Sequence, residues 1–407
     1  MTSATIDHLI SVTVFLAAIL LFISLFNQTI QTAILYQRHR YLATKCTDLL
    51  DNVMLNPGYP MEWGKTNVTP TSFGLQDPEF TQYRLSPFSL MRLRSSTGTP
   101  VYYPKTNKTY SNITMGFGNF LFMPYTDVVN YSTASMLLAT NNTYGFKLTV
   151  EPIVAVTVSE VQAEDPLRVQ VKASGSGFPL AYATVSYCFL EVSLAGGGAY
   201  PSYSTKYGNA TTDDQGSVVL SFLEVDDAET SYAIIVYAQL SGLTGVGYHQ
   251  RVSSTTQYAL PFVENVNDGT IIIAHSYDVH YFGPPVAEIA YNATFVLLTE
   301  DFTLRELPLG ADKIGKVNYG EGQPYSTVTI PTHNPGILII TYRKSAVEGG
   351  VILMPWGLST MAFPIVFGEE PREKEWVTTD IRQVTVNGIA YQARLALWSL
   401  EGYQVIS

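Results

Sequence analysis

The chain has 407 residues, 14% of them charged, with a net charge of −11 at neutral pH and an isoelectric point near 5.0. That balance excludes a nucleic-acid partner, which selects basic surfaces, and suits a solvated outer surface. The only cysteines, Cys46 and Cys188, exclude a disulfide framework and paired-cysteine metal sites, so stability must come from apolar cores.

The first predicted element is an apolar helix. Leu9 to Phe26 reads LISVTVFLAAILLFISLF and holds no charge. At about 1.5 Å per residue the run spans roughly 27 Å, close to the hydrocarbon thickness of a bilayer. Its Leu, Ile, Val and Phe side chains, at about −0.3 to −0.6 kcal/mol each, favour insertion by about 4–8 kcal/mol. The flanks lack the basic n-region and small-x-small site of a cleaved secretory signal. The run is therefore expected to stay in membrane lipid as an anchor, with Leu9, Phe15, Leu21 and Phe26 among its anchoring side chains. From Ile30 the apolar positions thin out to Ile34, Tyr41, Leu42, Cys46, Leu49, Leu50 and Val53. Their steps of three and four predict one amphipathic face, and Pro57-Gly58 is the next breaker. One helix over about Ile6 to Leu55 is expected, half in lipid and half carrying a head.

The head is expected outside the cell. Arg38, Arg40 and Lys45 follow the span, which by the positive-inside count alone favours the cytoplasm. Against that stand N-x-Ser/Thr acceptor triplets at Asn67, Asn107, Asn112, Asn130, Asn141, Asn209 and Asn292, with one more at Asn27 beside the membrane. Such triplets are useful only where N-linked glycans can be attached.

Residues 56–152 form a turn-rich segment. In NPGYPMEWG, Pro57 and Pro60 fix φ, Gly58 permits a reversal and Trp63 is expected to pack against the base of the helix. The stretch DVVNYSTASMLLAT reads as a helix. YGFKLTVEP reads as a strand with Tyr144, Phe146, Leu148 and Val150 on one face.

Residues 153–257 are all-β: VAVTVSEV, PLRVQVKAS, AYATVSYCFLEVSL, GSVVLSFLEV and SYAIIVYAQL, separated by turn-formers, predict a β-sandwich. In the hairpin GNATTDDQGSVVLSF, Gly216 supplies the turn conformation, and Asp213 and Asp214 are expected to bond the turn backbone. GFPLAYATVSY and this hairpin resemble the Gly-x-Pro-Leu-x-x-Ala-x-Val strand and the Thr-Asp-x-x-Gly-x-Val hairpin of bacterial Ig-like and carboxypeptidase-regulatory-like domains. That resemblance covers about a hundred residues and implies a spacer or adhesion module. Residues 258–407 predict more strands. They end in a hairpin at Asn387-Gly388, where both central residues of a type I′ turn need positive φ. They form a second β domain or complete the head.

No catalytic fingerprint appears. The near neighbours His275 and His280 are expected on one strand but on opposite faces, with Asp278 on the face of His280, as polar residues of a strand edge and not a metal pair. Glu369, Glu370, Glu373 and Glu375, broken by Arg372 and Lys374, read as a solvated loop. Asp226-Asp227 supplies too few ligands for calcium. Cys46 and Cys188 read as buried thiols. No cofactor and no metal is expected, and the chain is expected not to be an enzyme.

Several pieces together resemble archaeal pilin-like surface proteins with a class III-type N-terminal helix. They are the apolar helix near the start, its amphipathic continuation, Leu49-Leu50 followed by Pro57-Gly58-Tyr59-Pro60-Met61-Glu62-Trp63, then Phe73-Gly74-Leu75, MLLATNNTYGFKLTVEP and the closing VTVNGIAYQARLALW. The resemblance covers about the first 150 residues and the last 30. It implies a filament subunit assembled through its helix, with Asp7 at the place of the acidic residue that neutralises a neighbour's terminal amine in type IV pilins. The alternative for Asp7 is a first-turn residue favoured by the helix dipole. MTSATIDH departs from the family in lacking the Lys or Arg that precedes its cleavage point.

The expected fold is mainly β: a long N-terminal transmembrane helix (1–55), a pilin-like head segment (56–152), an Ig-like β-sandwich (153–257) and a C-terminal β domain (258–407). The expected function is that of a non-enzymatic archaeal cell-surface protein, a filament subunit or envelope-anchored adhesin. Its expected partners are lipid, N-linked glycans and either itself or other pilin or envelope subunits. Rival readings are a membrane-tethered extracellular enzyme or solute-binding protein, and a structural spacer of a surface layer.

Overall fold

A computed structural model describes the chain except residues 1, 81, 94–98, 115–119, 141–142, 195–199, 224, 226–229, 255, 281–286, 300, 316–322, 358–362, 373–375 and 401–407. Helix α1 (Thr2–Leu55) runs unbroken until the Pro57-Gly58 breaker. After it, Trp63 is buried, and its indole N–H is shared between the carbonyls of Pro57 (3.0 Å) and Gly74 (3.1 Å). It belongs to the same core as Leu50, Val53 and Met54 of α1, as the sequence predicts.

All seven residues of α2 (Pro87–Leu93) are buried, including Arg92. The Arg92 guanidinium is folded into backbone: it donates to the carbonyls of Asp127 (2.6 Å), Thr66 (2.8 Å), Val68 (3.0 Å) and Trp63. Burial pulls its pKa down to about 10, opposed by the charge of Asp127, so it stays protonated at neutral pH. Arg92 thus ties the turns after Trp63 to the segment before the next helix.

Strands β1 (Val101–Tyr103), β2 (Lys108–Thr114) and β3 (Phe120–Pro124) form an antiparallel meander. Helix α3 (Tyr131–Leu137) follows, its first turn capped by Asn130, whose side-chain oxygen accepts the Thr133 N–H at 2.8 Å. Then comes β4 (Tyr144–Pro152).

The next eight strands build a β-sandwich. They are β5 (Val154–Gln162), β6 (Leu167–Gly175), β7 (Phe178–Pro179), β8 (Thr184–Ser193), β9 (Ser202–Thr211), β10 (Ser217–Phe222), β11 (Tyr232–Leu240) and β12 (Leu243–Arg251). One sheet has the order β10-β6-β5, with β7 on β6; the facing sheet has the order β12-β11-β8-β9. With the short β7 set aside, the third and sixth strands share one sheet while the first, second and fifth share the other, an Ig-like arrangement. Alternation along β6 sends Leu167, Val169, Val171 and Ala173 into the core between the sheets. Phe189, Phe222 and Tyr232 stack at its centre, with Phe189 and Phe222 4.0 Å apart. The turn before β10 is held by Asp213, whose carboxylate accepts the N–H groups of Gln215 (2.9 Å) and Ser217 (2.8 Å), while Gly216 adopts φ +69°.

The sheet β12-β11-β8-β9 is covered on both faces. Tyr232, Ile234 and Val236 point into the sandwich core, whereas Ala233, Ile235, Tyr237, Cys188 and Leu190 point into the main core of the head. This explains why β11 reads as a continuous apolar run without alternation.

The last strands are β13 (Ala259–Asn265), β14 (Thr270–His275), β15 (Ile289–Leu298), β16 (Leu304–Ile314), β17 (Tyr325–Thr329), β18 (Gly336–Arg343), β19 (Gly349–Trp356), β20 (Ile365–Gly368), β21 (Val377–Val386) and β22 (Ile389–Ser399), with the short helix α4 (Ser276–His280) after β14. They do not form a separate unit. β13 pairs with β3 in the six-stranded sheet β1-β2-β3-β13-β14-β17, and β4 lies between β20 and β22 in the sheet β20-β4-β22-β21. Segments 56–152 and 258–407 are woven together because β3, with one edge unpaired by its own segment, and β4, with both edges unpaired, find partners there. The remaining sheet, β16-β15-β18-β19, packs into the main core. The closing hairpin turns at Asn387-Gly388 with φ of +48° and +81°. The protein is mainly β, with one long apolar helix leading into β-sandwich architecture.

Candidate functional site: the free helix and its seat

Two faces of α1 meet two different environments. Leu42, Cys46, Leu49, Leu50, Val53 and Met54 are buried in the head core, where α1 lies along β21 and β22. Polar contacts fix the register. Thr47 donates to Asp380 at 2.7 Å, Asp51 receives Arg382 at 2.8 Å, and the Cys46 thiol sits 3.4 Å from the carbonyl oxygen of Leu395. Burial works to raise the Asp380 pKa, but bonds from Thr47, the Ile381 N–H and Arg382 outweigh it and hold the carboxyl below the usual carboxylate range. His39 meets Trp376 edge-on at 4.4 Å at the lower rim of this seat.

Below the seat the helix contributes no side chain to the core of the head among the described residues. Every described side chain from Ile6 to Arg38 is exposed, including Leu9, Phe15, Leu21 and Phe26. Among the described residues this is the one helix long and apolar enough to cross a membrane. A bare apolar surface of this extent cannot remain in water. The lipid-length run ends at Phe26, yet Ile30, Ile34, Leu35, Tyr36 and Tyr41 are exposed too, Tyr36 at 70% and Tyr41 at 62%.

Here the structure corrects the single amphipathic face expected beyond Ile30. Ile30, Ile34 and Tyr41 line one side of the helix, whereas Leu42, Cys46, Leu49, Leu50 and Val53 line roughly the opposite side. The one-residue step from Tyr41 to Leu42 is a turn of about 100°, enough to change faces. Traced towards the N-terminus, the outer stripe continues through Phe26, Ile23, Ile19, Leu16 and Val12 in steps of three and four, so one apolar line joins the membrane run to the neck.

Asp7 is exposed on α1. It is the sixth residue of α1 as described, and the first turn holds no acidic residue.

The glycan acceptors differ in setting. Asn67, Asn107 and Asn209 are exposed, Asn107 in a turn at φ +55° and Asn209 on the edge strand β9. The Asn130 side chain is already engaged as the α3 cap. Asn292 sits in the middle of β15, paired on both sides. Asn112 lies on β2, and Asn141 falls outside the described residues.

The remaining candidates are placed as follows. His275 ends β14, whereas Asp278 and His280 lie on α4, so the expected single strand is corrected to a strand followed by a helical turn. The cause is local: the His275 ring nitrogen Nδ1 accepts the Tyr277 N–H at 3.0 Å and the Ser276 N–H bonds the Tyr258 carbonyl, which bends the chain. His275 is buried, not at an edge. Burial depresses its pKa, partly countered by Asp278, which keeps the ring neutral. Glu369 and Glu370 are exposed, and Glu370 pairs with Lys147. Asp226, Asp227, Glu373, Lys374 and Glu375 fall outside the described residues. Cys46 and Cys188 are buried free thiols; burial pushes them up to about 11 and about 12, leaving little thiolate at neutral pH.

No protein-family model and no curated protein matches the chain in sequence. Among solved structures, the D0-D1 domain of intimin is 14% identical with a TM-score of 0.22, covering 54% of this chain and 98% of that one. A red sea bream transglutaminase is 8% identical with a TM-score of 0.17, covering 61% of this chain and 37% of that one. Such scores fall short of a shared overall fold, so the fold assignment rests on the strand order given above.

Proposed function

We propose that this is a non-enzymatic, membrane-anchored surface protein that projects its β head outside the cell and assembles with copies of itself through α1, as a pilin-like subunit or anchored adhesin. The observation that carries this reading is the mismatch between the exposed apolar helix and a bilayer. About 20 residues cross the hydrocarbon. The stretch from Ile6 to Tyr41 is roughly 54 Å long at about 1.5 Å per residue, so some 20 Å of helix, polar apart from the stripe of Ile30, Ile34 and Tyr41 and from Leu35 and Tyr36, is left over. An isolated helical neck of that kind is marginal in water. Parallel packing of the Ile30, Ile34 and Tyr41 stripes of neighbouring copies covers it.

The test is the mass of the full-length protein in mild detergent. Wild type is expected to form oligomers, and the triple variant Ile30→Asn, Ile34→Asn, Tyr41→Ser is expected to run as a monomer with an unchanged head melting temperature. A monodisperse wild-type monomer at high concentration removes assembly and leaves the anchor.

The outward orientation has its own test. In a glycosylating host, peptide mapping is expected to find sugar on Asn67, Asn107 and Asn209 and none on Asn292 or Asn130. Asn67, Asn107 and Asn209 are exposed, Asn107 with its side-chain oxygen accepting the Tyr102 hydroxyl at 2.8 Å, whereas the other two are held in a strand interior and a helix cap. Unmodified Asn67, Asn107 and Asn209 would place the head on the cytoplasmic side.

A further inference from the structure

The corner between β14 and α4 is closed by a histidine, and nothing in the anchoring role uses it. His275 is only 2% exposed. Its Nδ1 accepts the Tyr277 N–H at 3.0 Å, so the proton of the neutral ring sits on Nε2, which is buried and has no hydrogen-bond partner. Backbone closes in on the residue. A Cβ added to Gly315 would meet the ring carbon Cδ2 at 2.8 Å, and the His275 N–H donates to the Pro324 carbonyl at 3.0 Å.

We propose that His275 is a proton-operated latch: acid adds a proton to Nδ1, breaks the bond that turns the chain into α4, and frees α4 while the sheet beneath stays folded. The step takes one proton from solvent. The ring has one lone pair able to accept it, on Nδ1, and that lone pair already holds the Tyr277 N–H. After protonation two N–H groups face each other, and the new cation has no acceptor at Nε2 either.

The charges around the ring come from two elements. On α4 stands Asp278. On the other side the Tyr258 ring lies 6.2 Å away, and its hydroxyl is bonded by Lys344 (2.8 Å) and to Glu348 (2.9 Å), which pair with each other at 2.7 Å and offset. Burial disfavours the imidazolium and outweighs Asp278, which favours it, so the ring titrates below its ordinary value of 6.5. The folded corner prefers the neutral ring. Its contribution to stability is therefore whole above that ordinary value and shrinks as pH falls below it. The corner gives way before the sheet because α4 has five residues, with Tyr277, Asp278 and Val279 only half-buried, whereas β14 is paired on both sides, with β13 and β17. This inference does not rest on self-assembly.

The experiment is hydrogen exchange of the full-length protein in detergent, read by mass spectrometry and corrected for the intrinsic pH dependence of exchange. Between about pH 7.5 and 4.5, the protection of Tyr277 to Val279 is expected to fall about tenfold or more, while β13, β14 and β17 keep theirs. His275→Asn offers an amide oxygen in place of Nδ1 and has no proton to take up, so its corner is expected to stay closed in acid. Asp278→Asn removes the charge that favours the imidazolium. It is expected to stay closed at neutral pH and to open only at lower pH than wild type, which guards against a folding defect in the His275 variant. Unchanged protection of Tyr277 to Val279, opening of the sheet together with α4, acid opening of His275→Asn as in wild type, or an Asp278→Asn corner already open at neutral pH would each overturn the proposal.

Discussion

A chain that begins at Tyr41 is expected to be a soluble, folded monomer, and a chain that begins at Asn56 is expected not to fold. The first cut removes no side chain of the head core; the ring contact it breaks is that of His39 with Trp376 at the rim. The second removes Leu42, Cys46, Leu49, Leu50, Val53 and Met54 from the core, together with the bonds of Thr47 and Asp51 to β21. At about 1.5–3 kcal/mol per fully buried apolar side chain, the loss is on the order of 10 kcal/mol, comparable to the about 5–15 kcal/mol that holds a domain together. Circular dichroism and size-exclusion chromatography distinguish the outcomes. A folded chain from Asn56 would mean that the helix merely rests on the head. The seam also has a pH signature. Because the folded Asp380 pKa is lowered, its contribution is complete above the ordinary carboxylate range. It is lost as pH falls through the lowered value, so the chain from Tyr41 is expected to lose stability in acid.

Arg92→Met is expected to cost about 3–5 kcal/mol. Methionine fills much of the space but donates nothing, so the carbonyls of Trp63, Thr66, Val68 and Asp127 lose their shared donor and the Asp127 carboxylate loses its nearby charge. In a protein of this size that is a fall in melting temperature of about 5–10 °C. Arg92→Lys keeps the charge but cannot reach every carbonyl, and is expected to fall between the two. A methionine variant within about 0.5 kcal/mol of wild type would show that the bonds to these carbonyls add nothing net.

How much of this was legible in the sequence depends on how local the cause is. The apolar run from Leu9 to Phe26, the breaker at Pro57-Gly58, the turn at Asp213 to Gly216 and the hairpin at Asn387-Gly388 are each set by neighbours within a few positions. All of these stand where the sequence places them. The change of face between Tyr41 and Leu42 was not legible, because both are apolar and only the head decides which one it covers. Nor was the Arg92 cradle: its acceptors come from backbone at positions 63–68 and 127, and carbonyl oxygens leave no trace in residue identity. The His275 corner escaped for the same reason, since the backbone that closes on it, at Gly315 and Pro324, lies far along the chain.

The seat of the first helix is made from nearly the last strands, β21 and β22. Because the chain is synthesised N-terminus first, more than three hundred residues must emerge between Leu55 and Val377 before that seat exists. At roughly 5–20 residues per second, the wait is about 15–70 s. Throughout it, Leu42 to Met54 lack the shelter they have in the folded head. Maturation is therefore ordered in time: the helix is made first, and the arrival of the terminal hairpin closes the body last.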